Sequence, residues 1–303
     1  MLAAAALAFL LSPAIAGPGP VRVEPLERRT PDGPVRGWLA RVDLADPRVS
    51  FVVTAPMESR PDDPPRAEAH LVPTDAWAQG AGADLAVNAG YFDRLDGAPA
   101  LLGSWTEGLP VDIIGLARSG GRTLSPAGRW PGAPPDPALL IAQAAGGHCP
   151  CKVRATYADE RGVDGVEDVV AGMGPRGGLP GTLLVENGRD RGATARVDPQ
   201  ERHPRTAAGV TRDGRTLVLL VVDGRRAGWS VGVTLPELGR MMLDAGAWNA
   251  VNLDGGGSSV MWYRAPRETG GRVLNRPSDG RVRPVATHLG VRVHGAPPPR
   301  PSR

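Results

Sequence analysis

Eight residues, Asn252-Leu253-Asp254-Gly255-Gly256-Gly257-Ser258-Ser259, set a carboxylate, an amide and two hydroxyls around three consecutive glycines. Such glycines bury nothing and cost backbone entropy, but they let the main chain turn sharply and approach another group closely. Gly255, Gly256 and Ser258 can offer backbone N–H groups and a hydroxyl to an anion, as glycine-rich nests do. The plain alternative is a glycine-rich hairpin. No Lys follows the glycines, so the stretch is not a Walker loop. The Ser258-Ser259 pair also lacks the G-x-S-x-G elbow of a serine hydrolase.

Further polar residues fall where apolar runs end. Asn88 closes one run, Arg205-Thr206 open another, Asp223-Gly224-Arg225 close the next, and Asn252 and Asp254 close a fourth. If the runs are neighbouring strands, these groups meet at one sheet edge. Asp223 and Asp254 are then the natural carboxylate pair for acid, base or nucleophile work. Arg205 and Arg225 could stabilise developing negative charge, and His203 titrates near neutrality. Each has an ordinary alternative: an Asp-Gly turn, an ion pair, a satisfied histidine. Asp and Asn at turns also suit calcium, although the spacing matches no calcium loop. No metal is expected, and calcium is only a minor option.

The elements that would position these groups can be read locally. Residues 206–211 and 216–222 are strand-like runs joined by Arg212-Asp213-Gly214-Arg215, a hairpin signal. Thr234-x-x-Glu237 is a capping box opening a helix. Leu235, Leu238, Met241, Met242 and Ala245 follow on one face, and Gly246 ends it. Residues 249–253 read as a buried strand, with residues 258–262 returning beside it and residues 285–293 as a last strand. Near the start, residues 38–44 and 49–54 read as a hairpin across Asp46-Pro47, and residues 71–81 as a short helix. The expected fold class is α+β, a mixed or largely antiparallel sheet with packed helices in a single catalytic domain. Its expected layout is a signal peptide at 1–16, a loose lead-in at 17–37, the domain at 38–294 and a disordered tail at 295–303.

Composition narrows the function classes. Against 32 acidic residues the chain carries 35 Lys and Arg, for a net charge of +3. Lys152 is the single Lys, and the Arg residues are scattered among acids with few aromatics beside them, so nucleic acid is not an expected partner. The first sixteen residues, MLAAAALAFLLSPAIA, resemble a secretory h-region and cleavage site. The run is short for a membrane span and contains Pro13. The expectation is a secreted or periplasmic protein with no stable membrane span after processing. The two cysteines, Cys149 and Cys151, could pair with each other, stay free, or bind a metal with His148.

The motifs resemble those of the phosphodiester glycosidase family. They run, in order, AVNAGYFD, GPRGGLPGTLLVENG, HPRTAAGVTRDGR, LLVVDGRRAGWSVGVTL, TLPELGRMMLDAGAWNAVNLDGGGSS and VLNRPSDGRVRPVATHLGVRV. The resemblance spans residues 84–293 and is densest after residue 172, while residues 101–167 match nothing. It implies an enzyme that hydrolyses the anomeric C–O bond of a sugar-1-phosphodiester, with N-acetylglucosamine as the sugar and an envelope glycopolymer as the substrate source. It implies Asp223, Asp254 and Arg205 in catalysis. Asn88, Thr206, Arg225, Asn252, Gly255, Gly256, Ser258 and Asn275 would bind substrate, Asn275 either holding a sugar hydroxyl or capping a turn. A non-catalytic polysaccharide-binding protein and a phosphodiesterase cutting P–O are the alternatives.

Overall fold

A computed structural model describes residues 19–96, 105–128, 132–143, 151–174, 181–195 and 197–295. The expected signal peptide, Cys149 and residues 296–303 of the tail lie outside the described residues. Cys151 is disulfide-bonded.

The residue run Thr216–Val222, TLVLLVV, has almost no polar face, and the fold buries it on both sides. It sits inside a seven-stranded sheet ordered Val21–Thr30, Gly33–Asp43, Thr216–Val222, Arg205–Thr211, Ala247–Asn252, Val185–Glu186, Arg189–Asp190. One face packs on the helix Leu235–Asp244 through Leu235, Leu238, Met241 and Met242 against Leu220, Val222 and Ala250. The other face carries Val210, Leu217, Leu219 and Val221. It shares one apolar core with two five-stranded sheets, through Val87, Met261 and Leu289 of one and Leu139, Val153 and Val170 of the other.

The first of these five-stranded sheets is ordered Arg272–Val273, Met261–Tyr263, Leu85–Asn88, His288–Val293, Val49–Val53, and the second Arg122–Ser125, Ala117–Ser119, Asp168–Ala171, Asp136–Ala142, Lys152–Ala158. Strand neighbours run antiparallel. Strand makes up 43% and helix 9%, with two α-helices among the described residues. The fold is therefore mostly β, which corrects the expected α+β class. The two expected helices exist, at Thr74–Gly80 and Leu235–Asp244, but sheets pack on sheets and the helices only cover a face.

Three local expectations are corrected as well. Residues 21–30, read as a loose lead-in, form a ten-residue strand paired in full with Gly33–Asp43. Its alternation of Val21 and Val23 with Arg22 and Glu24 gives it one buried face. The runs around 38–44 and 49–54 are not a hairpin. Gly33–Asp43 pairs with Thr216–Val222, and Val49–Val53 pairs with His288–Val293 in another sheet. Residues after the glycine turn do not return beside their own strand either, because Met261–Tyr263 pairs with Leu85–Asn88. Among the described residues no helix is long and apolar enough to cross a membrane.

Candidate active site

The antiparallel register explains why the polar strand ends converge. Arg205 lies opposite Val222, and Ala207 opposite Asn252, so the start of one strand and the ends of its two neighbours share one edge of the seven-stranded sheet. Asn88 brings the edge of a second sheet to the same place. Its Nδ2 donates to the Asp254 carbonyl at 2.6 Å, and its Oδ1 accepts from Thr206 Oγ1 at 2.8 Å and Val260 N at 3.1 Å. Asp254 N in turn donates to the Ala89 carbonyl at 2.9 Å. Asn88 and Thr206, read as substrate-binding, are fully buried and spent on this junction.

The glycine turn is a short 3-10 turn at Gly256–Ser258. Gly256 holds φ at 61°, a conformation that suits a residue without Cβ. A Cβ on Gly257 would overlap Arg283 Nη2 and Asp279 Oδ1, so the glycine admits that ion pair, which closes at 2.8 Å. The turn is not the anion nest expected from sequence. The N–H of Gly255 donates to Asp254 Oδ1, that of Gly256 to the Pro204 carbonyl, and that of Ser258 to the Gly255 carbonyl.

Asp254 emerges half-buried at this turn. Burial pushes its carboxyl up to about 6, while the Ser258 hydroxyl, Arg283, the Gly255 N–H and Arg225 pull the other way. Arg225 approaches from the opposite loop, where a Cβ on Gly256 would lie 3.1 Å from Arg225 Nη1. Around the turn, Asn252 Oδ1 and Ser259 Oγ are buried without a hydrogen-bond partner, while the Ser258 hydroxyl acts on Asp254. Buried polar atoms are normally partnered, so two orphans together at one turn mark a place suited to a polar ligand. Asn252 Nδ2 donates to Tyr91 Oη at 2.6 Å, which leaves the buried Tyr91 hydroxyl proton free to donate. Burial and then the Asp254 charge raise the Tyr91 pKa, keeping it protonated.

Other expected residues are placed differently. Asp223 is 1% exposed and its carboxylate is occupied: Oδ2 accepts from Trp229 Nε1 at 2.8 Å, and Oδ1 from Asn275 Nδ2 at 3.0 Å and Arg276 N at 2.9 Å. Burial raises its pKa against those three donors. It ties two loops together through Trp229, Asn275 and Arg276. Asn275 completes that tie, donating also to the Ser259 carbonyl and accepting from Met261 N. Arg205, expected to hold a phosphate, donates instead to the carbonyls of Val233, Val197, Asp198 and Glu201. It staples the loop before its own strand, and burial lowers its pKa. Among the described residues the cations acting on Asp254 are Arg283 and Arg225. Sequence reasoning missed Arg283 and Tyr91, though both lie inside the quoted motifs.

Asp198, Glu201 and His203 bring ligand atoms within 4.8 Å of one another. They do not fit a metal. Arg225 Nε donates to His203 Nδ1 at 3.3 Å, so the ring proton sits on Nε2, which faces Glu201 Oε2 at 3.2 Å and has no lone pair to give. Two guanidiniums beside Asp254 likewise make it a poor seat for calcium.

The phosphodiester glycosidase family model matches residues 81–292. The chain belongs to the phosphodiester glycosidase family. The glycine turn, Asn88, Tyr91, Arg225 and Arg283 all fall within the matched residues. The fold is similar to that of a zebrafish N-acetylglucosamine-1-phosphodiester alpha-N-acetylglucosaminidase catalytic domain auto-inhibited by its pro-peptide. That match has 19% identity and a TM-score of 0.61, over 94% of this chain and 87% of that one. A putative exported protein from Burkholderia pseudomallei is similar at 19% identity and a TM-score of 0.55, over 85% of this chain and 74% of that one. An uncharacterised SPbeta prophage-derived protein of Bacillus subtilis is 36% identical over 127 residues, 41% of this chain and 18% of that protein. The matched region is thus a small part of this curated relative's length.

Proposed function

We propose that this phosphodiester glycosidase is an exported enzyme that hydrolyses the anomeric C–O bond of a sugar-1-phosphodiester, releasing the sugar and a phosphomonoester. The observation that carries the reading is the half-buried carboxylate of Asp254, acted on by two guanidiniums, Arg283 and Arg225, and by the Ser258 hydroxyl, beside two orphaned polar atoms. Cleaving the bond builds positive charge on the sugar ring and negative charge on the departing phosphate together. Asp254 serves the ring, and the two arginines serve the phosphate. A phosphate leaving group needs charge stabilisation more than a proton, which accords with one available carboxylate in place of the expected pair. The free donor on Tyr91 and the hydroxyls of Ser258 and Ser259 would orient sugar or phosphate oxygens.

N-acetylglucosamine is the proposed sugar, on the activity named for the zebrafish protein of similar fold, and an anionic envelope glycopolymer the proposed source. Export rests on the apolar first sixteen residues. Hydrolysis in ¹⁸O-water tests the bond assignment. Label on the sugar is expected, and label on the phosphate would transfer the reaction to P–O cleavage.

A further inference from the structure

His203 makes contacts that the proposed reaction does not use. Its backbone is clamped by reciprocal hydrogen bonds with Val233, and Gly224 and Gly232 lie so close that a Cβ on either would strike it. Its ring is held between opposite charges. Arg225 presents Nε at 3.3 Å and Nη2 at 3.2 Å to Nδ1, while Glu201 lies 3.2 Å and Asp198 3.7 Å from Nε2. Arg205 is the remaining charge acting on the ring. Arg225 itself has a backbone φ of 56°, uncommon for a side chain of this size, and no carboxylate partner among the described residues. Non-glycine residues in that region persist only where their surroundings over-determine them. A long exposed guanidinium on a strained turn thus lies over Gly256 of the glycine turn and hydrogen-bonds the imidazole.

We propose that His203 is a positioning residue: its neutral imidazole accepts from Arg225 and aims that guanidinium at the substrate phosphate beside Asp254, and protonation of the ring releases it. An arginine has donors only, so Nδ1 must carry a lone pair for the contact to exist. A protonated ring turns acceptor into donor and sets two cations face to face. Burial, Arg225 and Arg205 hold the ring pKa below its ordinary value of 6.5, against Asp198 and Glu201, so the grip lasts to mildly acidic pH. The inference rests on the reading of Arg225 as a phosphate ligand.

The test uses sulfate, an oxyanion whose charge does not change across the range, with wild type, His203→Asn, His203→Gln and Arg225→Gln. An Asn carbonyl reaches the Nδ1 position, whereas a Gln carbonyl reaches that of Nε2. Wild-type affinity is expected to fall about tenfold as the ring protonates, the loss of one charge-assisted hydrogen bond. His203→Asn should keep the neutral-pH affinity without this fall, and His203→Gln should be weak throughout. Protonation of Asp254 strengthens anion binding in every variant, so the comparison of wild type with His203→Asn isolates the imidazole. Equal behaviour of Asn and Gln, or tighter wild-type binding on ring protonation, overturns the proposal. Undiminished binding by Arg225→Gln overturns instead the assignment of Arg225 to the phosphate.

Discussion

Asp223 and Asp254 look alike in sequence, each at a strand end followed by Gly, but they sit in opposite surroundings. The Asp254 carboxyl has a pKa of about 6 in the fold against an ordinary 3.8. Between these values the unfolded chain has lost its proton while the folded chain keeps it. Stability therefore falls as pH rises through that window and stays lowered above it. Asp254→Asn removes this cost. Its Tm is expected to exceed that of wild type by a few degrees at about pH 8, with the gain shrinking toward about pH 4. Its kcat should fall on the order of a hundredfold or more. Wild-type activity, which needs the ionised carboxylate, should decline as pH drops through about 6. Asp223→Ala does the reverse, stranding the donors of Trp229, Asn275 and Arg276 at a loss on the order of 3 kcal/mol. Denaturant titration of both variants checks the contrast, and a stable Asp223→Ala protein that binds substrate poorly would return Asp223 to the site. Their residue types could be read from sequence but their roles could not, because two of the three donors that occupy Asp223 come from a loop some fifty residues further along.

Elements were legible where their cause is local. The Thr234 capping box forms as read, with the Thr234 side chain accepting from Glu237 N and the Glu237 side chain from Thr234 N. Thr234→Ala is expected to cost about 1 kcal/mol, measurable by denaturant titration. The hairpin Arg205–Thr211 to Thr216–Val222 also forms, its Asp-Gly turn flanked by apolar runs. Elements defined by distant partners were not legible. Within residues 101–167 the strands are short and separated by Gly and Pro, and their order is not sequential: Asp168–Ala171 lies between Ala117–Ser119 and Asp136–Ala142. The glycine turn illustrates the same limit, since Gly257 is required by Arg283 and Asp279 rather than by the turn itself. Gly257→Ala should displace that pair and lower kcat/KM by at least about tenfold with the fold retained. Circular dichroism together with a hydrolysis assay would show whether fold and activity separate this way.

Across the whole molecule, one sheet is covered on both faces and contributes the edge on which the site is assembled. Its N-terminal strand belongs to this arrangement. Removing residues 19–32 would uncover the edge of Gly33–Asp43 and the apolar neighbours of Val21 and Val23, and Tm is expected to drop clearly at a fixed scan rate. A truncated protein melting like the full chain would restore the loose lead-in. The central strand has a further consequence. From 217 to 222 it reads Leu-Val-Leu-Leu-Val-Val, without charge, Pro or Gly. Paired along both edges and sealed above and below, this hexamer is inert while the sheet is closed. Once heat parts its neighbours, it becomes a template on which other chains can stack as cross-β. Unfolding should then run one way, into aggregates, with an apparent melting point that climbs with heating rate. Durability in this protein is accordingly a lifetime, set by how seldom the central strand is bared.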